Sequence, residues 1–202
     1  MLDTAARRLT TPLLAPAAAR LAAAGVPATA LTAAGWLAGL GACAAIVVEA
    51  WPLALVLWWT NRVLDGLDGA VARRRGATDL GGFLDVVADF SIYAGIVLAV
   101  AIAVPDARLA AVAVLTAYYV SAVAFLALSS ILERRRAAEH TDERSLRFSG
   151  GIAEGTETVL LYSVLLLVPA WAEALLWIFT AAVAVTALQR VADAVRLLRP
   201  RP

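Results

Sequence analysis

The sequence predicts an all-α integral membrane protein with six transmembrane helices preceded by an interfacial N-terminal helix. Three observations carry that expectation. Of the 202 residues, 62% are hydrophobic and 16% charged, against roughly 45–50% apolar residues in an average soluble domain. The mean hydropathy is +0.80, and a soluble interior grows too slowly with chain length to hide that much apolar surface. The arginines also fall almost entirely on one side of the apolar runs, the asymmetry that orients helices in a bilayer.

The elements follow from apolar runs and their polar or proline punctuation. Residues 1–27 mix Arg7, Arg8 and Arg20 with leucines and alanines, interrupted by Pro12 and Pro16, and are expected to form a broken interfacial helix on the membrane surface. They show no clean apolar core with a cleavage site, so no cleavable signal is expected. Six spans are placed at 30–49, 52–72, 83–104, 109–131, 152–170 and 172–192, each near the ~20 residues that cross a bilayer. The domain is read as 28–192, followed by a basic cytoplasmic tail at 193–202 with Arg196, Arg199 and Arg201. One side of the membrane receives the N-terminal arginines, Arg73 to Arg75, Arg134 to Arg136, Arg144, Arg147 and the tail, whereas Arg108 alone lies with the short turns opposite. Both termini are therefore expected in the cytoplasm.

Composition excludes other classes. All 17 basic residues are arginine and the net charge is +1, so nothing favours a polyanion such as nucleic acid. Cys43 is the only cysteine and lies in an apolar run, which fits an inert buried thiol and rules out a disulfide scaffold. No internal repeat of the kind common in transporters is visible.

The segment from Asn61 to Asp89 carries the chemistry. Asp65 and Asp68 lie three apart at the cytoplasmic end of the second span, and Asp85 and Asp89 four apart at the start of the third. Each pair shares one helix face. A short polar loop joins the two helices, which are expected to be antiparallel neighbours with all four carboxylates facing each other. Each acid costs about 2.5–3.5 kcal/mol at membrane depth, and mutual repulsion adds to this. Two divalent cations would balance four carboxylates and find the oxygen ligands they prefer. Gly66, Gly69, Gly81 and Gly82 leave room for close helix approach or for a ligand. The plainer alternative is a structural network in which Arg62 and Arg73 to Arg75 pair with the acids.

The run Asp65-x-x-Asp68-Gly69-x-x-Ala72-Arg73, followed by Gly81-x-x-x-Asp85-x-x-x-Asp89, resembles the signature of the CDP-alcohol phosphotransferase family. Seven residues separate Arg73 from Gly81, one fewer than in the family pattern, so either Gly81 or Gly82 takes the glycine role. The run Ala28-Thr29-Ala30-Leu31-Thr32 is similar to the family's start of the first span, with Thr29 where Asn is usual. The segment from Ser149 to Thr158 resembles a bacterial inner-membrane branch of that family. The resemblance implies transfer of a phosphatidyl group from CDP-diacylglycerol to a small alcohol, with release of CMP. It also implies six helices, a homodimer and a site at the cytoplasmic face of the inner membrane.

On that resemblance, Asp65, Asp68, Asp85 and Asp89 are the metal ligands for Mg²⁺ or Mn²⁺, with two ions expected, and Asp89 is also the catalytic base. Thr32, Asp65, Gly69, Ala72, Arg73 and Gly81 are the nucleotide-binding residues; Thr32 could equally bond back to its own helix. An acidic site needs bridging metals to accept a diphosphate. The acceptor is expected to be a small phosphorylated polyol such as glycerol 3-phosphate, with inositol, serine or another alcohol compatible with the same chemistry. Candidate acceptor contacts are Glu154, Glu157, Arg136 and Arg147. The two glutamates could instead favour a helix N-terminus, and the arginines could serve topology and lipid headgroups. His140 is expected in a solvated loop. An ion-coupled transporter using the carboxylates and a non-catalytic membrane scaffold are the alternatives from other classes.

Overall fold

A computed structural model describes residues 2–139 and 155–199, with side chains over 9–135 and 155–199. Among the described residues there is no β-strand, and seven α-helices follow one another. They are α1 (Leu2–Ala23), α2 (Ala28–Val47), α3 (Trp51–Arg75), α4 (Asp79–Ala103), α5 (Arg108–Glu139), α6 (Gly155–Leu167) and α7 (Ala172–Leu198). Helices α2 to α7 lie where the six spans are expected. Four stretches, Ala28–Val47, Asp79–Ala103, Pro105–Arg135 and Pro169–Leu198, are long and apolar enough to cross a membrane. Helix α3 has the length, at 25 residues, but carries Arg62, Asp65 and Asp68 within it. The described part of α6 has 13 residues.

Helix ends follow local chemistry. Gly25 at φ +81° and Gly76 at φ +100° end α1 and α3 in a backbone region that other residues rarely adopt. The Thr78 hydroxyl caps α4, accepting from the Gly81 N–H at 3.1 Å, as N-cap threonines do. Pro105 and Pro169 each open a short 3₁₀ turn, leading into α5 and α7.

The structure corrects two sequence expectations about packing. Helix α1 runs unbroken through Pro12 and Pro16. The two prolines are four apart, so the backbone donors they remove lie on one face. Leu14, Ala18 and Leu21 of α1 pack with Leu67, Ala70 and Val71 of α3, and this contact holds the helix across its missing bonds. The second correction concerns the acidic helices. The main neighbour of both α3 and α4 is α2, while the backbones of α3 and α4 scarcely approach each other. Small residues explain the choice. A Cβ at Gly39 of α2 would fall 2.7 Å from the Ile92 side chain of α4, and one at Gly35 would crowd Leu64 of α3 at 3.3 Å, so glycine lets α2 approach both helices closely.

The core joins α2 through α7. Trp58, Ile92, Ile96, Tyr162, Leu166 and Leu176 are buried at its centre. Trp58, Tyr93, Tyr162 and Phe179 form a chain of tilted and edge-on rings with centroids 5.5–6.2 Å apart, the preferred geometry of aromatic pairs. Leu37, Val56, Leu98, Val112 and Ile178 are exposed around the outside, as an apolar solvent would require.

Candidate active site

Three helix ends meet around a cavity of about 440 Å³. Helix α2 contributes Thr29 and Thr32 from its first turns, α3 contributes Asp68, Gly69, Ala72 and Arg73 from its last, and α4 contributes Gly81, Gly82 and Asp85. Because α2 wedges against both neighbours, the acidic stretches of α3 and α4 face each other across space instead of packing flat. Like charges are thereby gathered with room left between them.

Asp65, Asp68 and Asp85 each offer a carboxylate oxygen, and the three oxygens lie within 4.8 Å of one another. Oxygens on opposite sides of one divalent ion, with bonds of about 2.1–2.5 Å, stand about 4.2–5 Å apart. The three carboxylates are thus close enough together to share one hard cation. Asp68 is the buried member, and Asp65 and Asp85 are half-buried.

Thr32 orders this group. Its hydroxyl donates to Asp68 Oδ2 at 2.7 Å and also lies 3.2 Å from the Ala28 carbonyl oxygen. The back-bond of Thr32 to its own helix is present, and the same hydroxyl also reaches Asp68 at the cavity wall. A charge-assisted bond of this length is of the stronger kind.

Asp89 lies outside that 4.8 Å set and pairs with Arg62, the guanidinium that also stands near Asp65. The Asp89 Oδ1 accepts from Arg62 Nη2 at 2.8 Å. The same guanidinium donates through Nη1 to the Tyr93 hydroxyl at 2.8 Å and through Nε to Asn61 Oδ1 at 2.7 Å, and Nη1 lies 3.7 Å from Asp65 Oδ2. Asn61 in turn donates from Nδ2 to the Gly35 carbonyl of α2 at 2.8 Å. Arg62 accordingly ties α3 to α4 directly and to α2 through Asn61. Sequence reasoning gives it a part only in the structural alternative; its signal is an arginine three residues before Asp65, inside an apolar run.

The glycines divide by role. A Cβ at Gly69 would meet Arg73 Nη1 at 3.3 Å, and one at Gly82 would meet nothing within 4 Å. A Cβ at Gly81 would stand 3.0 Å from the Thr78 cap. Gly82 therefore opens space toward the cavity, and Gly81 serves the capping turn as well as the lining. Arg73 and Arg75 both line the cavity. Arg74 turns away, with Nη2 3.3 Å from the Ala15 carbonyl of α1.

The acceptor candidates are less gathered. Glu157 lies in the first turn of α6, and the described cavity-lining residues include none from α6. Arg136 is on α5, with its side chain outside the described residues. Glu154 and Arg147 lie outside the described residues, as does His140.

Comparison with known proteins bears directly on this arrangement. Residues 25–189 match the family model described as CDP-alcohol phosphatidyltransferase. The chain is 37% identical over 174 residues to the inner membrane protein YnjF of Escherichia coli strain K12, covering 83% of this chain and 82% of that protein. Its fold matches a crystal structure of Mycobacterium tuberculosis phosphatidylinositol phosphate synthase (PgsA1) with CDP-DAG bound. That match has a TM-score of 0.72 at 22% identity and covers 95% of this chain and 99% of the other. The same enzyme in complex with manganese and citrate also matches at a TM-score of 0.72 and 22% identity, covering 94% of this chain and 93% of the other.

Proposed function

Given that this chain belongs to the CDP-alcohol phosphatidyltransferase family, we propose that it transfers a phosphatidyl group from CDP-diacylglycerol to a small alcohol and releases CMP. The observation that carries this reading is the convergence of Asp65, Asp68 and Asp85, of which Asp68 and Asp85 line the cavity with Gly69, Ala72 and Arg73.

The proposed roles follow from charge and position. Asp65, Asp68 and Asp85 hold Mg²⁺ or Mn²⁺, consistent with the manganese complex of the structural relative. Two ions are proposed, which Asp65, Asp68 and Asp85 together with Asp89 would hold and which would offset the charge of the donor's diphosphate. When bound, the metal supplies charge neutralisation for the diphosphate and polarises the attacked phosphorus. The chain's own residues do the rest. Gly69, Ala72 and Gly82 leave a surface on which the cytidine part of the donor can lie, and Thr32 keeps Asp68 oriented. Arg73 presents its fixed fork of donors to a phosphate. Asp89 takes the proton of the acceptor hydroxyl, for which it must come within about 2.6–3.2 Å, directly or through one water.

Around this site, helices α2 to α7 are proposed as six spans of a multi-pass protein of the bacterial cytoplasmic membrane, in keeping with the inner-membrane relative. Residues 1–27 form an interfacial helix region, 28–192 the catalytic domain and 193–202 a basic tail, with both termini and the site in the cytoplasm. A homodimer is proposed on family grounds. The acceptor is proposed to be a phosphorylated polyol, held by Arg136 and Arg147 through phosphate and by Glu154 and Glu157 through hydroxyls.

The test is release of CMP from CDP-diacylglycerol by purified protein with Mg²⁺ or Mn²⁺, across a panel of alcohols. Metal-dependent release with one acceptor supports the reading. Donor binding without release from any alcohol would leave a non-catalytic scaffold, and absence of donor binding would favour an ion-coupled transporter.

A further inference from the structure

The acidic stretch of α3 has two sides, and the cavity occupies only one of them. Asp68, Gly69 and Ala72 line the cavity, and the 3.6-residue repeat puts Gly66, Ala70 and Arg74 on the side away from it. That side meets α1. Ala18 and Leu21 pack with Leu67, Ala70 and Val71. Arg74 donates from Nη2 to the Ala15 carbonyl of α1 and from Nη1 to the Ala70 carbonyl, both at 3.3 Å. Gly66, directly after Asp65, makes the closest approach. A Cβ there would fall 2.7 Å from Leu14 Cδ1 of α1, and among the described residues it would meet no other atom outside its own stretch of helix within 4 Å. The missing side chain is thus a notch that holds one methyl group. A glycine inside a helix costs stability through its backbone freedom; what it gives in return here is the close approach of α1.

We propose that Leu14 is a positioning residue for the metal site: seated at Gly66, it braces the acidic turn of α3 from behind and fixes where Asp65 and Asp68 stand. The brace has a force to resist. The carboxylates of α3 and α4 repel one another across the cavity before a cation is bound, and the backbones of the two helices scarcely approach. Side chains oppose that push. Arg62 draws on Asp89 of α4 at 2.8 Å, Thr32 of α2 holds Asp68 at 2.7 Å, and Leu14 backs the same turn from its far side. A shift of α3 toward α1 would carry Asp65 and Asp68 away from Asp85, and oxygens now within 4.8 Å of one another would separate. The inference rests on the metal reading of the proposed function, and its test can fail apart from the transfer reaction.

Exchanging volume between the two positions tests it in purified protein. In Gly66→Val the branched side chain fills the notch and displaces Leu14. Mn²⁺ titrated into substrate-free protein should then bind about tenfold weaker, and CMP release at saturating donor should fall by about the same factor. Adding Leu14→Ala restores the volume, because alanine gives up the carbons that valine adds. The Leu14→Ala/Gly66→Val protein should recover Mn²⁺ affinity and kcat to within about threefold of wild type. Leu14→Ala alone empties the notch and should weaken Mn²⁺ binding about threefold, whereas Leu13→Ala, one residue away and 78% exposed, should leave it unchanged. A contact that only adds stability would lower the melting temperature of Gly66→Val with Mn²⁺ affinity unchanged, and that result overturns the proposal. So does a double variant no better than Gly66→Val, since the glycine would then act without Leu14. Where Gly66→Val does not fold, equal Mn²⁺ affinity in Leu14→Ala and Leu13→Ala overturns it. Mn²⁺ binding without CMP release counts against the transferase reading alone, and a wild-type protein that binds no Mn²⁺ overturns the metal reading and this inference together.

Discussion

Thr32 and Asp68 lie 36 residues apart in the chain and meet at 2.7 Å, hydroxyl to carboxylate, across the α2–α3 contact. The bond couples the start of the first apolar helix to the acidic end of the next. Its geometry makes Thr32 an orienting group for one of three converging acids. Thr32→Val keeps the shape and removes the donor, and a bond to a charged group contributes about 1.5–3 kcal/mol. Mn²⁺ affinity and CMP release should fall about tenfold in Thr32→Val and stay within about threefold of wild type in Thr32→Ser. Isothermal titration and a turnover assay check this; equal behaviour of the two variants would remove Thr32 from the site.

The three converging carboxylates should behave alike toward metal and unlike Asp89 toward substrate. Asn substitution at Asp65, Asp68 or Asp85 should each abolish Mn²⁺ binding in the micromolar range, since each removes a charged ligand from a three-ligand set. Asp89→Asn should retain CDP-diacylglycerol binding and lose turnover by about 100-fold or more, the lower range for a general base. Normal turnover in Asp89→Asn would exclude the base assignment.

Metal removal offers a broader check. Chelation by EDTA should stop CMP release, and Mg²⁺ or Mn²⁺ should restore it without refolding, because the Arg62, Asn61 and Thr32 contacts hold α2, α3 and α4 together through protein groups alone. A chelated protein that loses its helical circular dichroism would contradict this.

Glycine substitutions should separate binding from packing. Gly69→Val fills cavity space and displaces Arg73, 3.3 Å from the position of the added Cβ. It should raise the KM for CDP-diacylglycerol about tenfold, equivalent to ~1.4 kcal/mol, with an unchanged melting temperature. Gly39→Ala places a Cβ 2.7 Å from Ile92 in the core, and overpacking of this kind costs about 1–3 kcal/mol. Thermal unfolding in detergent should show a lower midpoint for Gly39→Ala alone; the reverse pattern would mean that the two glycines have exchanged roles.

Much of the site is legible in the amino-acid sequence. The spacing of Asp65 with Asp68 and of Asp85 with Asp89 places each pair on one helix face whatever packs beside it, because a helix repeats every 3.6 residues. Thr32, Gly69, Ala72, Arg73 and Gly81 stand out by their positions in the motifs, and all five line the cavity. Arg62 is harder to read. An arginine one turn from Asp65 is a natural ion-pair partner for it, yet its shortest contact to an acid is with Asp89, 27 residues away.

The sequence by itself determined the all-helical character, the position of every apolar run and the clustering of acids at one end of two of them. These depend on hydropathy and helical period, which neighbouring residues along the chain settle between them. Tertiary structure decided that α2 separates α3 from α4, that α1 continues through both prolines, and that three aspartates converge while the fourth pairs with Arg62. These depend on how closely helix backbones approach at Gly35 and Gly39 and on how far a buried guanidinium reaches. Such distances belong to residues remote in sequence and exist only once the helices have packed.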